Sequence, residues 1–300
     1  MPRIIKIVCG MTVNSLCQRF CPLSDLYSRC FSPYIGVAVT RLASACDTGR
    51  EMIIPLYDDN PHRRITRAYV NWGLIATNVL VFVFFQSGYV PGTFVADTAG
   101  FTYSYGMIPV VLFQKMQLPP EYIRVPEWLT PITSSFVHGS WMHLTGNMLF
   151  LWVFGDNVED DLGRWRYLFF YLACGVLASF AYALTAQDST SPLIGASGAI
   201  SGVVAAYVLL HPKVKIWVLL FFRIPLKLPA YWAIGAWILY QAYFALYAYF
   251  VTSTDDVAWF AHLGGLVAGA ILVLPLKRAD APLFDNAPPQ AQNDWRDTFD

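Results

Sequence analysis

Apolar residues are grouped into six long runs, separated by shorter segments that carry most of the charged residues. Runs of roughly 18 or more residues with few charges are typical of membrane-spanning helices. We therefore predict six transmembrane helices. Their approximate ranges are 68–86, 139–158, 167–186, 193–211, 229–250 and 257–276.

The Lys and Arg residues provide a test of this division. Eighteen of the 20 lie before the first predicted helix, between the second and third, between the fourth and fifth, or after the sixth. The other two, Lys115 and Arg124, lie between the first and second helices. Positive residues accumulate on the cytoplasmic side of membrane proteins. The alternation therefore supports six helices and predicts that both termini are cytoplasmic.

Composition agrees with an all-α membrane protein in a lipid bilayer. Hydrophobic residues make up 56% of the chain and charged residues 13%, whereas soluble domains have about 45–50% and about 25%. The formal net charge is +0, and no exposed basic stripe is evident, so nucleic acid is not expected as a partner.

The same pattern divides the chain into three parts. We predict a cytoplasmic N-terminal segment at 1–67, a six-helix domain at 68–277 and a cytoplasmic tail at 278–300. The tail is rich in Pro, Ala, Asn and Asp and is expected to be disordered. Residues 1–51 are either a targeting segment or an extension ahead of a translation start at Met52.

Polar residues in three of the predicted helices fall at a similar depth. His143 and Asn147 lie about one and two turns into the second helix, Ser197 about one turn into the fourth, and His262 between one and two turns into the sixth. All three helices run inward from the outer face of the bilayer. At a rise of about 1.5 Å per residue, the four residues lie in roughly the outer third to half of the bilayer. Each has a simple explanation alone, as a packing or hydrogen-bonding residue. Four at one depth favour a shared site, because unpartnered polar groups are costly in lipid.

Small residues predict which helices meet. Two helices carry small residues at four-residue spacing, which allows close approach of helix backbones. These residues are Gly198, Gly202 and Ala206 in the fourth helix, and Ala261, Gly265 and Gly269 in the sixth. If these faces pack together, Ser197 and His262 come within reach of each other.

The four polar residues suit acyl-transfer chemistry. A Ser hydroxyl needs a base within hydrogen-bond reach, and His is the usual base at neutral pH. His143 and Asn147 share one helix face and could stabilise a tetrahedral intermediate, together with the backbone N–H of Ser197. Spacing alone leaves open whether His143 or His262 is the base.

With these residues in place, the chain resembles the rhomboid family of intramembrane serine proteases over roughly residues 68–277. Each motif is weak alone, and the ordered set is specific. The motifs are His143-x-x-x-Asn147, Gly155…Glu159…Gly163, Gly195-x-Ser197-Gly198 and Ala261-His262-x-x-Gly265-x-x-x-Gly269.

The resemblance implies a six-transmembrane-helix rhomboid-like bundle with a Ser197–His262 dyad. His143, Asn147 and the Ser197 backbone N–H would form the oxyanion hole. The aromatic-rich fifth helix, with Trp232 among its residues, would flank the lateral access of substrate. The sequence around His143 looks bacterial in style, which implies a bacterial inner membrane.

Two departures from the family pattern stand out. Some members carry a Trp-Arg pair in the first loop, whereas this chain has Trp128 followed by Leu129. Some members place an aromatic residue four positions after the nucleophile, where this chain has Ser201. We therefore expect His262 to be oriented in another way, for example by a hydrogen bond to Ser201.

The resulting hypothesis is an intramembrane serine endopeptidase acting on single-pass membrane proteins near the outer face of the bilayer. No cofactor or metal is expected, since the sequence has no His-Glu-x-x-His motif and no paired membrane aspartates. One alternative is a non-catalytic relative that binds membrane proteins for trafficking or quality control. Another is a transporter or channel, which the lack of a buried carboxylate relay disfavours.

Overall fold

The structure, a computed structural model, describes residues 53–87, 98–220, 224–251 and 258–285. The alternatives for residues 1–51 lie outside this range. The elements in chain order are β1 (Ile53–Asp58), α1 (Tyr69–Phe85), α2 (Thr98–Tyr105), α3 (Pro109–Leu112), α4 (Thr130–Thr133), α5 (Trp141–Leu162), α6 (Arg164–Thr185), α7 (Ser197–Leu210), β2 (Lys215–Leu220), β3 (Ile224–Pro229), α8 (Ala230–Val251) and α9 (Trp259–Leu276).

Each of the six apolar runs coincides with a helix, namely α1, α5, α6, α7, α8 and α9. Within the described ranges, α6 and α9 are long and apolar enough to cross a membrane, and α1 and α7 are shorter apolar helices. The helical class is therefore confirmed, while the count of six membrane crossings stays a prediction.

Helix α7 begins later than the hydrophobic run predicts. The run starts at residue 193, but Leu193 forms an isolated antiparallel bridge with Met107, and Gly195 has a φ of +115°. Side chains with a Cβ rarely adopt that backbone conformation, so a helix does not pass through it. Ser197 is consequently the first residue of α7, and its predicted position one turn inside the helix is wrong.

Helix α7 packs closely against α9 because glycines face each other across the contact. All of its residues from Gly198 to Tyr207 are buried. A Cβ added at Gly265 would overlap the carbonyl oxygen of Gly198, and one added at Gly269 would overlap the backbone of Gly202. The predicted contact between the two small-residue faces is confirmed.

Glu159 joins the end of α5 to the start of α1. Its carboxylate accepts hydrogen bonds from the backbone N–H groups of Val70 (3.2 Å) and Asn71 (2.7 Å), at the start of α1. The residue before α1, Ala68, provides no side-chain cap. The first N–H groups of a helix need a partner when they are buried, and Glu159, itself 0% exposed, supplies it from α5.

Besides the helices, the protein contains a three-stranded antiparallel sheet with the strand order β1-β2-β3. Strand β2 alternates in exposure: Ile216 and Val218 are buried, while Trp217 between them is exposed. Period-two alternation is the signature of a half-buried strand. The hydrophobic runs did not predict this sheet, because β1 lies before the first run and β2 and β3 lie between the fourth and fifth.

The start of the C-terminal tail packs against the helices. The backbone N–H of Phe284 donates to Leu209 O (2.8 Å), and that of Asp285 donates to Leu210 O (2.9 Å), so both occupy carbonyl groups at the end of α7. Arg64 forms an ion pair with Asp280 at 2.8 Å. The expectation of a disordered tail therefore does not hold for residues 278–285, and residues 286–300 lie outside the described part.

A buried carboxyl group connects β1 to this end of α7. Asp58 is 7% exposed and accepts hydrogen bonds from the Tyr207 hydroxyl (2.6 Å) and Asn157 Nδ2 (3.0 Å). Burial raises the pKa of the Asp58 carboxyl to about 7. Nearby, a hydrogen bond with Asp156 raises the pKa of His62.

The raised pKa values of Asp58 and His62 predict that the free energy of unfolding falls as the pH rises from 5 to 8. The folded state retains a proton on Asp58 that the unfolded chain releases near its ordinary pKa, and folded His62 likewise retains its proton longer. Each unit of pKa difference corresponds to about 1.4 kcal/mol. We expect Asp58→Asn, which keeps an acceptor for Tyr207, to reduce this decline and to unfold at a higher temperature than wild type at pH 8.

Thermal unfolding in detergent micelles at several pH values measures this effect. Asp280→Asn is the matched control, because a hydrogen bond from Arg64 lowers the pKa of the exposed Asp280. The contribution of Asp280 is therefore constant above pH 5. A pH slope that is identical in wild type and Asp58→Asn would contradict the assignment.

The packing of α7 on α9 predicts that Gly265→Ala destabilises the protein. The added methyl group meets backbone atoms, which cannot rotate away, and overpacking of this kind costs about 1–3 kcal/mol or more. Gly73→Ala is the control, since a Cβ there has no neighbour within 4 Å. An unfolding midpoint for Gly265→Ala equal to that of Gly73→Ala would refute the close contact.

Candidate active site

Ser197 and His262 meet at the end of the α7–α9 contact where both helices begin. Ser197 is the first residue of α7 and His262 is the fourth of α9. The distance between Ser197 Oγ and His262 Nε2 is 2.8 Å. A nucleophile and a base need this separation for proton transfer. The structure thus pairs Ser197 with His262, as the small-residue faces predicted.

The backbone that leads into Ser197 is fixed by the neighbouring chain. The N–H of Gly195 donates to Ser134 O at 2.9 Å, and the left-handed φ of this glycine turns the chain into α7. Ala196 precedes the helix without a side-chain cap. The N-terminal N–H groups of α7 therefore point towards the site at the positive end of the helix dipole.

His143 and Asn147 reach the same turn from α5. A Cβ placed on Gly195 would lie 2.6 Å from His143 Nε2 and 3.6 Å from Asn147 Nδ2. Both side chains therefore adjoin the backbone two residues before Ser197. Glu159 is 16 residues further along α5 than His143, or about 24 Å at about 1.5 Å per residue, and lies outside the site.

His138 is a site residue that the sequence pattern did not reveal. Its Nε2 accepts a hydrogen bond from Asn147 Nδ2 at 3.0 Å, and its side chain is 1% exposed. Gln86 holds the His138 backbone through both its N–H (3.0 Å) and its carbonyl oxygen (2.9 Å). His138 precedes α5, so helical periodicity gave no sign that it lies beside Asn147.

The orientation of His262 differs from the expectation. Ser201 Oγ donates to Ser197 O at 2.8 Å and does not contact the imidazole, so the suggested Ser201–His262 bond is wrong. Instead, His262 Nδ1 lies 2.9 Å from Oε1 of Gln241 in α8. Gln241 is the only amide among residues 230–251, which contain no charged residue, and that isolation was the available signal.

Among the described residues, no group of three or more His, Cys, Asp or Glu side chains is arranged to hold a metal ion. The expectation that no cofactor is needed stays a prediction. The arrangement itself supplies a hydroxyl, a neighbouring imidazole and several nitrogen donors, which are the groups that acyl transfer requires.

A family model described as "Rhomboid domain" matches residues 125–279. This range contains Ser197, His262, His143 and Asn147, and it covers just over half of the chain.

Similar proteins come from plants and yeast. The chain is 36% identical over 89 residues to Rhomboid-like protein 11, chloroplastic, of Arabidopsis thaliana, covering 29% of this chain and 31% of the relative. It is 31% identical over 161 residues to Rhomboid protein 1, mitochondrial, of Saccharomyces cerevisiae, covering 52% and 43%. RHOMBOID-like protein 12, mitochondrial, of Arabidopsis thaliana is 28% identical over 158 residues, covering 47% and 44%. The chain thus spans less than half the length of these relatives.

The names of these relatives place them in chloroplasts or mitochondria. They give no support to the expectation of a bacterial inner membrane, which stays a prediction.

Proposed function

Because the chain belongs to the rhomboid family, we propose that it is an intramembrane serine endopeptidase, which cleaves transmembrane segments near the outer face of the bilayer. The observation that carries this proposal is the 2.8 Å separation of Ser197 Oγ and His262 Nε2. The two helices are held together by glycines, so the pair rests on rigid elements. Such preorganisation is what covalent catalysis requires.

The first half of the reaction forms an acyl-enzyme. Ser197 Oγ attacks the carbonyl carbon of the scissile peptide while His262 Nε2 takes the hydroxyl proton. The tetrahedral intermediate collapses with cleavage of its C–N bond, and His262 gives the proton to the departing amine. The new amino terminus leaves, and the remaining product is an ester of Ser197.

The second half of the reaction consumes water. His262 takes a proton from a water molecule, whose oxygen attacks the ester carbonyl, and the proton then returns to Ser197 Oγ. Water has to reach the dyad from one face of the bilayer, because the hydrocarbon interior holds none. The location of Ser197 at a helix end supports such access.

The negative charge on the attacked oxygen needs donors. His143 Nε2, Asn147 Nδ2 and the N-terminal N–H groups of α7 surround the turn at Gly195. We assign them to the oxyanion hole. The bond from Asn147 Nδ2 to His138 uses one of its two amide hydrogens and leaves the second for substrate.

The proposed substrates are single-pass membrane proteins that enter laterally beside α8. This helix has exposed aromatic residues, among them Trp232 at 64% and Tyr243 at 61%. Large aromatic surfaces suit contact with lipid and with an apolar substrate helix.

The proposed location is a multi-pass position in the membrane with both termini on the cytoplasmic side, as the Lys and Arg distribution indicates. In a bacterial cell this is the inner membrane. An organelle membrane is the alternative that the names of the relatives suggest.

Replacement of Ser197 by Ala tests the proposal. We expect purified wild type in liposomes to cleave a reporter single-pass substrate and to react with a fluorophosphonate probe. Ser197→Ala should lose both activities, with a drop in kcat of at least about 1,000-fold, because removing the nucleophile leaves only binding and electrostatic effects. His262→Ala should show a similar loss.

Ser179→Ala is the matched control, since Ser179 is another buried serine, in α6, and its hydroxyl donates to Pro131 O and not to His262. It should retain cleavage and labelling. If wild type binds the reporter but neither cleaves it nor reacts with the probe, the chain is a non-catalytic binding protein and the proposal is wrong.

The oxyanion assignment predicts a loss in kcat with little change in KM. Removing one such donor costs about 100- to 1,000-fold in kcat, because the interaction forms mainly in the transition state. We expect this for Asn147→Ala. Gly146→Ala, in the same helix turn and with open space around its Cβ, should remain active. A change in KM alone would instead indicate that Asn147 binds substrate.

A further inference from the structure

The imidazole of His262 lies between two hydrogen-bonding partners. Nε2 is 2.8 Å from Ser197 Oγ in α7, and Nδ1 is 2.9 Å from Gln241 Oε1 in α8. Three helices therefore meet at one ring, and both of its nitrogens are used.

The chemistry of the dyad specifies which nitrogen carries the proton. A neutral imidazole has one N–H and one acceptor nitrogen. Nε2 must be the acceptor if it is to take the Ser197 proton, so Nδ1 carries the hydrogen. An N–H at Nδ1 requires an acceptor, and the Gln241 carbonyl oxygen is at the right distance.

Gln241 is built into the protein in a way that suits this role. Its side chain is 4% exposed, and a buried amide needs a defined partner. Trp259, one turn before His262, stacks on Phe244 of α8 with ring centroids 5.1 Å apart, and its ring also contacts Tyr240 at 5.8 Å. These aromatic contacts hold α8 against α9 on both sides of Gln241.

We propose that Gln241 is the positioning residue of the dyad: by accepting the Nδ1 hydrogen, it fixes the tautomer and ring orientation of His262 that allow Nε2 to act as the base. The inference rests on the proposed function. Gln241 does not contact the reacting atoms, and it acts through His262.

The Ser201 hydroxyl does not serve this purpose. It donates to the carbonyl oxygen of Ser197, one turn earlier in α7. The role that an aromatic neighbour would fill by stacking is thus taken by an amide from a different helix.

The kinetic test compares Gln241→Leu with Gln241→Glu in the full chain, reconstituted in liposomes with a single-pass reporter. Leu keeps the approximate volume but removes the acceptor, and an unpartnered ring N–H or a rotated ring should lower kcat by about 10- to 100-fold. KM should change by less than about 2-fold, because the buried Gln241 side chain offers almost no surface to a substrate. Glu restores an acceptor oxygen and should recover most of the lost kcat.

Gly235→Ala is the control for a general disturbance of α8, since a Cβ added at Gly235 on the same helix has no neighbour within 4 Å. Its kcat should equal that of wild type. If Gln241→Leu has a wild-type kcat, or if Gln241→Glu fails to recover activity while remaining folded, the proposal is overturned.

The tautomer provides a second measurement that does not depend on the folding of the Gln241 variants. In wild type with 15N-labelled histidine at neutral pH, we expect the His262 signal to show the hydrogen on Nδ1. His262→Ala identifies that signal among the five histidines. A hydrogen on Nε2 would refute the role of Gln241 directly.

The outcomes separate the two proposals. A wild-type protein that neither cleaves the reporter nor reacts with the fluorophosphonate probe refutes the protease. Active wild type combined with an Nε2-protonated His262, or with full activity in Gln241→Leu, refutes only the positioning role.

Discussion

The close approach of α7 and α9 is the constraint on which the site depends. Ser197 and His262 lie on different helices, 65 residues apart in the chain, and side chains as short as serine reach a neighbouring helix only when the backbones nearly touch. Gly198 and Gly202 against Gly265 and Gly269 provide that contact. In lipid, where burial of apolar surface drives helix association weakly, such packing contributes much of the stabilisation.

Helix α7 is also held at both of its ends, and this fixes the position of Ser197 along the helix axis. Before its N-terminal end, the backbone N–H of Gly195 donates to Ser134 O. At the other end, Tyr207 bonds to Asp58 of β1, and Phe284 occupies a terminal carbonyl group. The sheet and the start of the tail therefore take part in positioning Ser197, although both lie at the opposite end of the helix.

Much of this arrangement could be predicted from the sequence, because the physics involved is local and periodic. Length and hydropathy located the six helices, and four-residue spacing of small residues predicted the contact that pairs Ser197 with His262. The pattern failed where a single backbone conformation, or a partner distant in the chain, determines the local structure. Gly195 begins α7 late through its φ of +115°, and β2 is too short for its alternation to stand out between two apolar runs.

Gln241 is the clearest case of a contact that the sequence pattern could not predict. A lone amide in an aromatic helix signals a buried hydrogen bond, but nothing in the spacing of the chain connects residue 241 with residue 262. That connection depends on the rotation of α8 about its axis, which aromatic packing against Trp259 sets. His138 was missed for the same reason, since its link to Asn147 arises from the path of the chain before α5.

The identity of the acceptor at position 241 affects which groups would stabilise the charges of the proposed transition state. A carboxylate there would orient the imidazole and also stabilise its positive charge, but an ionised carboxylate buried at membrane depth is costly. An amide oxygen can orient the imidazole without placing a charge in the membrane interior. In the proposed mechanism, the imidazolium that forms during attack therefore gains no ionic partner from α8, and stabilisation of the transition state depends more heavily on the donors assigned to the oxyanion hole. His143 and Asn147 bring nitrogen donors to the backbone at Gly195, and Asn147 is held by a hydrogen bond to His138, whose backbone Gln86 holds in turn. Under the proposed mechanism, both features serve this stabilisation.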